Sequence, residues 1–216
     1  MVATPKSEVG AAWHDGGAKA PAMVVAHGAG AGMDHPFMTG FSEALASEGV
    51  SALRFNFPYL EAGRKSPGSP KDAIAAVVAA VEAATARTGG RPVVAGGKSY
   101  GGRMASMAAA EGMPAAALVF LGYPLHAPGT PDKVRDEHLY GLDQPMLFLQ
   151  GTKDPFAQPE ALARVLKKLG DRATFVPYEG AGHSFERSRK DRPADVGASL
   201  ALTVAAFVRD HTSDAS

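Results

Sequence analysis

Pro92-Val93-Val94-Ala95-Gly96-Gly97-Lys98-Ser99-Tyr100-Gly101-Gly102-Arg103-Met104-Ala105 is an apolar run, then a glycine-flanked serine, then a stretch of small residues. Within it Gly97-Lys98-Ser99-Tyr100-Gly101 has the pattern G-x-S-x-G. Alone the pattern says little, because roughly one chain in six of this Gly and Ser content would carry it by chance. Its surroundings decide the reading. Pro92 to Gly96 has the length and character of a buried strand, and the residues after Ser99 suit a helix. A strand that turns straight into a helix holds its junction residue in a strained backbone conformation and exposes that side chain. The flanking positions must then be almost free of side chains. Gly97 and Gly101 meet that need, and Gly102 gives further room.

Outward from this elbow, short apolar runs recur at Ala22–Ala26, Ser51–Asn56, Ala116–Leu121, Met146–Gln150 and Ala173–Pro177. Bounded by Gly, Pro or polar residues, they read as fully buried parallel strands. Val9 to Trp13 followed by Asp15-Gly16-Gly17 reads as an edge strand and a hairpin turn. Helices alternate with the runs. Ser69-Pro70 is an N-cap with proline at the first helical position, Asp72 suits the positive dipole end, and Gly89-Gly90 ends the helix. Ile74, Val77, Val78 and Val81 supply its apolar stripe, and Leu162, Val165, Leu166 and Leu169 repeat the spacing before Gly170. Leu200, Val204, Phe207 and Val208 mark a last amphipathic helix, with a frayed tail expected from His211 to Ser216. Strands alternating with helices predict an α/β protein: a doubly wound, mostly parallel sheet with helices on both faces.

A chain of 216 residues and 22.3 kDa with no composition shift is expected to form one domain over residues 1–216, with an ordered core of about 9–209. Its folded surface should be roughly 9,400 Å², leaving enough buried area for a core without staples. Twenty-two basic residues balance twenty-two acidic ones, so no net field draws in nucleic acid or an anionic membrane. The absence of cysteine excludes disulfides, thiolate metal sites and a cysteine nucleophile, and fits a reducing cytoplasm. Met1 to Ser7 lacks the basic-then-apolar build of a signal peptide, and no apolar run reaches ~18 residues. Seven histidines without HExxH spacing argue against a catalytic metal, and no cofactor is expected.

Two competing readings of the glycines fail. A phosphate-binding P-loop ending in Gly97-Lys98-Ser99 needs glycine where Pro92 stands. Gly28, Gly30 and Gly32 miss the dinucleotide fingerprint, because Met33 occupies the third glycine's place. Acyl-transfer chemistry fits better. His27-Gly28-Ala29-Gly30 follows an apolar run, and a glycine turn at a strand's C-terminal end offers one backbone N–H to a tetrahedral oxyanion. The residue after the nucleophile offers the second, so Ala29 and Tyr100 are the expected donors. Asp154 lies just past the run Met146 to Leu149, and His183 lies past the next one. Serine is a poor nucleophile at neutral pH, so His183 must take its proton while Asp154 fixes the imidazole tautomer. The order is Ser99, Asp154, His183.

His27-Gly28-Ala29-Gly30-Ala31-Gly32-Met33-Asp34-His35-Pro36-Phe37, Arg54-Phe55-Asn56-Phe57-Pro58-Tyr59, the serine elbow, Leu121-Gly122-Tyr123-Pro124-Leu125-His126 and Gln150-Gly151-Thr152-Lys153-Asp154-Pro155-Phe156 together resemble one small branch of the α/β-hydrolases. It is the dienelactone-hydrolase-like branch, whose eukaryotic relatives include a testis-expressed protein and a non-catalytic-looking subunit of a histone acetyltransferase complex. The resemblance runs from about Val9 to Arg209 and implies a triad of Ser99, Asp154 and His183. Serine replaces the cysteine of dienelactone hydrolase, so that enzyme's substrate does not carry over. Only Gly122 to Gln144, stiffened by Pro124, Pro128 and Pro131, separates two successive strands, so no lid domain fits. Met33, His35, Tyr59, Tyr123 and His126 are the candidate cleft-lining residues, and Glu61 to Lys65 is a surface loop. The expectation is a cytoplasmic serine hydrolase cleaving small carboxylic esters through an acyl-enzyme. With the acyl surface confined to loops around Met33, Tyr100 and Tyr123, its best substrates would be short, about C2 to C4. The same machinery admits a thioester or amide, and the fold admits a non-catalytic binding role.

Overall fold

The structure, a computed structural model, describes residues 1–127 and 129–212. Pro128, expected to stiffen its loop, and the last four residues of the tail lie outside the described residues. Strands β1 (Val2–Ala3) and β2 (Glu8–Val9) form a small antiparallel pair. The main sheet comprises β3 (Ala11–His14), β4 (Ala22–Ala26), β5 (Ser51–Phe55), β6 (Val94–Lys98), β7 (Leu118–Leu121), β8 (Met146–Gly151) and β9 (Ala173–Tyr178). Their spatial order is β3-β5-β4-β6-β7-β8-β9, parallel throughout except for β3. From β4 the chain steps to β5 on one side and later to β6 on the other. That reversal opens a crevice beyond the carboxyl ends of β4 and β6, where open α/β sheets bind their ligands.

The sheet is covered on both faces, as the alternation of elements predicts. Along β4, Ala22, Val24 and Ala26 belong to one apolar cluster, and Met23 and Val25 to the other. The first cluster is completed by α3 (Pro70–Arg87), α4 (Tyr100–Ala110) and α5 (Pro159–Leu169) through residues such as Val77, Met104 and Leu162. The second is completed by α1 (Pro36–Ser47) and α7 (Ala201–Thr212) through Phe41, Leu45 and Val204. The short helices α2 (Pro58–Glu61) and α6 (Pro193–Ser199) complete the set, and residues 137–141 form a 3-10 turn. Ser69 caps α3 by accepting from the Lys71 N–H, as its sequence signal implies. The accessible surface of the described structure is 9977 Å², near the size-based expectation. Among the described residues no helix is long and apolar enough to cross a membrane.

Several expectations need correction. The hairpin after Trp13 does not form. Both edges of β4 are taken by the parallel neighbours β5 and β6, so β3 pairs antiparallel with β5 instead. The elbow strand runs from Val94 to Lys98 rather than from Pro92, which has no N–H to give a ladder. Strand β9 is not fully buried: it is the sheet's last strand, and Phe175 is 40% exposed. His211 and Thr212 are still helical, with the His211 ring packed on Phe207 at 4.2 Å. Helix α1 was not anticipated from the sequence, although His35-Pro36 announces it: His35 Nδ1 accepts from the Phe37 N–H at 3.2 Å and Pro36 begins the helix.

Candidate active site

Ser99 sits between β6 and α4 with φ 50° and ψ −113°, a conformation that costs a residue bearing Cβ on the order of 1–3 kcal/mol. The glycines beside it are needed for a close approach. A Cβ on Gly97 would lie 2.0 Å from the Ala26 carbonyl oxygen, and one on Gly101 would lie 2.3 Å from the same atom. Strand-to-strand crowding against β4, as much as the tightness of the turn, therefore excludes side chains here.

The three residues picked out by order along the chain meet in space. His183 Nε2 is 2.8 Å from Ser99 Oγ, and His183 Nδ1 is 2.7 Å from Asp154 Oδ2. A carboxylate accepts only, so Nδ1 carries the hydrogen and the Nε2 lone pair faces the serine hydroxyl. Asp154 is buried, and its oxygens are further engaged by Gln150 Nε2 at 2.5 Å and by the Phe156 N–H at 2.8 Å. Gln150 is itself oriented by accepting from the Tyr123 N–H at 2.8 Å. Its place in the segment before Asp154 was visible in the sequence; its role was not.

The loop carrying His183 is held from below. Lys98, the residue before the serine, is buried and donates through Nζ to the His183 carbonyl at 2.8 Å. Burial pulls its ammonium down to about 8, against the opposing attraction of Asp154 and Glu186. Phe185, with φ 65°, wedges between Phe37 and Tyr178 at ring distances of 6.3 and 5.2 Å. Phe156 leans on the His183 ring at 4.4 Å. A lysine embedded in an apolar elbow strand was the available signal for the first of these contacts.

On the other side of Ser99 lies the glycine loop after β4. His27 is fully buried, and burial pushes its imidazole down to about 4, so it is neutral. Its Nε2 accepts from the Phe57 N–H at 3.1 Å, which leaves Nδ1 to donate to the Gly28 carbonyl at 2.7 Å. Within this loop the Gly30, Ala31 and Met33 amides donate to Tyr59 Oη, the Gly28 carbonyl and Asn56 Oδ1. The Ala29 amide has no acceptor among the described residues. The Tyr100 amide opens α4 and is one of that helix's orphan donors, with no side-chain cap from Ser99.

A cleft of about 580 Å³ runs from Ser99 and His183 between α1 and α6. Phe37, Met38, Phe156 and Val196 give it an apolar floor, and Ala29, Lys98, His35 and Arg189 stand on its walls. Of the five residues expected to line it, His35 does. Met33 does not: its backbone is tied to Arg54 and Asn56, and its side chain reaches toward Gly10. Tyr59 is buried behind the glycine loop, stacked on Phe57. Tyr123 is wholly buried between Phe120 and Phe148, and burial pushes its phenol up to about 12. His126 is buried, with Nδ1 3.1 Å from the Ala127 carbonyl. Tyr123 packs in the apolar cluster on the sheet face opposite α1, and the His126 N–H donates to the Phe156 carbonyl at 3.2 Å. Helix α1, unseen in the sequence, is what builds the cleft.

A parallel sheet with this crossover and a serine elbow at its switch point defines the class of α/β hydrolases. The chain belongs to the alpha/beta hydrolase domain family, whose sequence profile matches residues 19–209. Its fold is similar to a lid-less serine hydrolase of Xanthomonas campestris, with TM-score 0.70 and 20% identity over 97% of this chain and 90% of that one. It is also similar to Est1E of Butyrivibrio proteoclasticus, solved with ferulic acid bound, with TM-score 0.76 and 18% identity over 97% and 98% of the two chains. A dienelactone hydrolase of Anabaena variabilis matches with TM-score 0.73 and 20% identity over 98% and 96%.

Proposed function

We propose that this α/β hydrolase is a serine esterase acting on small carboxylic esters through an acyl-enzyme. The observation that carries the reading is the unbroken chain Ser99 Oγ–His183–Asp154, with links of 2.8 and 2.7 Å, at the mouth of an apolar cleft. Ser99 Oγ attacks the acyl carbon while its proton passes to His183 Nε2. Asp154 steadies the imidazolium, and the amides of Ala29 and Tyr100 receive the developing oxyanion. His183 then returns the proton to the leaving alcohol. It next takes one from water, whose oxygen attacks the acyl carbon, and gives it to Ser99 Oγ as the Oγ–acyl bond breaks, releasing the acid and the free serine hydroxyl.

A fluorophosphonate probe tests this directly, because only a serine activated by its histidine reacts fast. Rapid labelling localised to Ser99 by mass spectrometry is expected, together with turnover of p-nitrophenyl acetate. A folded protein that neither labels nor turns over would overturn the reading in favour of a binding protein on a hydrolase fold. Faster turnover of a matched thioester than of the oxygen ester would move it to thioesterase chemistry.

A further inference from the structure

The segment Arg54-Phe55-Asn56-Phe57-Pro58-Tyr59 takes no part in the steps above, and none of its side chains lines the cleft. Its polar groups nevertheless converge on one target. Arg54 donates through Nη1 to the Met33 carbonyl at 2.5 Å and to Asp34 Oδ1 at 2.8 Å, while its Nε is engaged by His14 at 2.8 Å. Asn56 Oδ1 accepts from the Met33 N–H at 2.9 Å. Its amide nitrogen donates to Glu61 Oε1 at 3.0 Å, so the oxygen is forced to face the loop. Tyr59 Oη accepts from the Gly30 N–H at 3.3 Å, and the Phe57 N–H holds His27. Four polar groups, from Arg54 at the end of β5 to Tyr59 in α2, thus grip the turn from His27 to Asp34.

We propose that Arg54, Asn56 and Tyr59 are positioning residues for the oxyanion donor at Ala29. The inference rests on the serine chemistry proposed above. Gly28, Gly30 and Gly32 give the turn the backbone freedom to bring an amide to the serine, and the same freedom lets it wander. An oxyanion hole stabilises the transition state only when its donors are already in place, since realignment during the reaction would consume the gain. The frame removes that freedom without entering the cleft. It occupies the amides of Gly30 and Met33 and the Met33 carbonyl, leaving Ala29 as an unengaged donor on the cleft wall beside Ser99. A rigid guanidinium and an amide of fixed orientation suit this task better than a flexible lysine would.

Asn56→Ala and Tyr59→Phe test the proposal, the second keeping the buried ring so that the fold is retained. Both are assayed with p-nitrophenyl butyrate and with an alkyl trifluoromethyl ketone. Ser99 Oγ adds reversibly to that ketone's carbonyl carbon, its proton goes to His183, and the alkoxide oxygen occupies the oxyanion position. Asn56→Ala should lower kcat about 10- to 100-fold with KM within about twofold, and Tyr59→Phe should lower it about 3- to 10-fold. In each variant the ketone's inhibition constant should rise by the factor lost in kcat/KM, which a general loosening of the protein would not produce. Folded variants with unchanged kcat and unchanged ketone affinity, or with a loss confined to KM, would overturn the frame. A parent that turns over no ester would overturn the hydrolase reading instead, and the frame's catalytic role with it.

Discussion

The loop after β4 and the loop after β9 reach Ser99 from opposite sides, yet they are held in different ways. Residues 27–34 are gripped along their backbone by β5 and its extension, with the neutral His27 as an internal strut. Residues 183–192 are pinned at their base by Lys98 and Phe185, and then run exposed from Glu186 to Lys190. A set of fixed dipoles must be in place before charge develops, whereas a proton carrier needs its ring aligned and its surroundings open to substrate. The first loop spends its polar groups on its own immobility. The second forms the cleft wall.

The two halves can be separated by mutation, and the largest effect should come from the serine they share. Ser99→Ala should reduce ester turnover to background, while the melting midpoint stays near the parent's, because alanine keeps the Cβ and hence the strain at φ 50°. Ser99→Gly should be equally inactive but melt a few degrees higher, since glycine accepts that conformation. An active Ser99→Ala, or a Ser99→Gly that melts no higher, would undo the account of the elbow.

On the histidine side, Asp154→Asn should cut kcat by up to ~10⁴ with the fold intact. The amide nitrogen can donate where only an acceptor fits, which turns the imidazole's hydrogen toward Ser99. The oxyanion side is untouched, so affinity for uncharged substrate should change little. Comparing kcat and KM of the variant with the parent's would show a mainly KM effect if Asp154 merely braced the loop.

The buried group of each loop should also leave its mark on stability in a different pH window. His27 stays neutral in the fold down to about pH 4, whereas the unfolded chain takes up its proton near 6.5. Stability from this group is therefore complete above about pH 6.5 and is lost as pH falls toward 4, by about 3 kcal/mol. Lys98 follows the same sign in a higher window. Its folded value is pulled down to about 8, so between about pH 8 and 10 the unfolded chain binds the extra proton and stability rises with pH, by about 2 kcal/mol. Melting midpoints measured from pH 4.5 to 10 should show both slopes. The acid slope should flatten in His27→Gln and the alkaline slope in Lys98→Met; unaltered slopes would remove these residues as their source.

What could be seen in the sequence follows the same division. The strands, the serine elbow and the order Ser99, Asp154, His183 were legible because strand ends are marked by local signals: an apolar run, then glycine, then a polar residue. The tie between Gln150 and Asp154 and the grip of β5 on the glycine loop were not, since each joins residues whose pairing depends on which strands become neighbours. A linear reading misplaces the cleft for a definite reason. Tyr123 and His126 follow β7 and look like cleft residues in a linear reading, but the second wall is made by α1 and α6. Those helices lie far apart in sequence, and although Phe37, Met38, Phe41 and Leu45 give α1 an apolar stripe at i, i+1, i+4 and i+8, nothing local shows that it faces α6 across a cleft.

That misplacement changes the smallest of the expected effects, the dependence on acyl length. A surface limited to strand-end loops would favour C2 to C4. The actual floor of Phe37, Met38, Phe156 and Val196 can cover further methylenes, each able to gain up to ~0.8 kcal/mol when fully buried. With about half of that realised, kcat/KM should gain roughly twofold per methylene. Across p-nitrophenyl esters from C2 to C12, kept below their micelle concentrations, kcat/KM should rise beyond C4 to about C6 and then level off. Val196→Phe narrows the cleft on the α6 side and should return the optimum toward C2, leaving kcat for the acetate ester within about twofold. A parent optimum at C2, indifferent to Val196→Phe, would mean that the acyl chain does not enter between α1 and α6. It would then lie against the glycine loop, and the division of labour between the two loops would have to be redrawn.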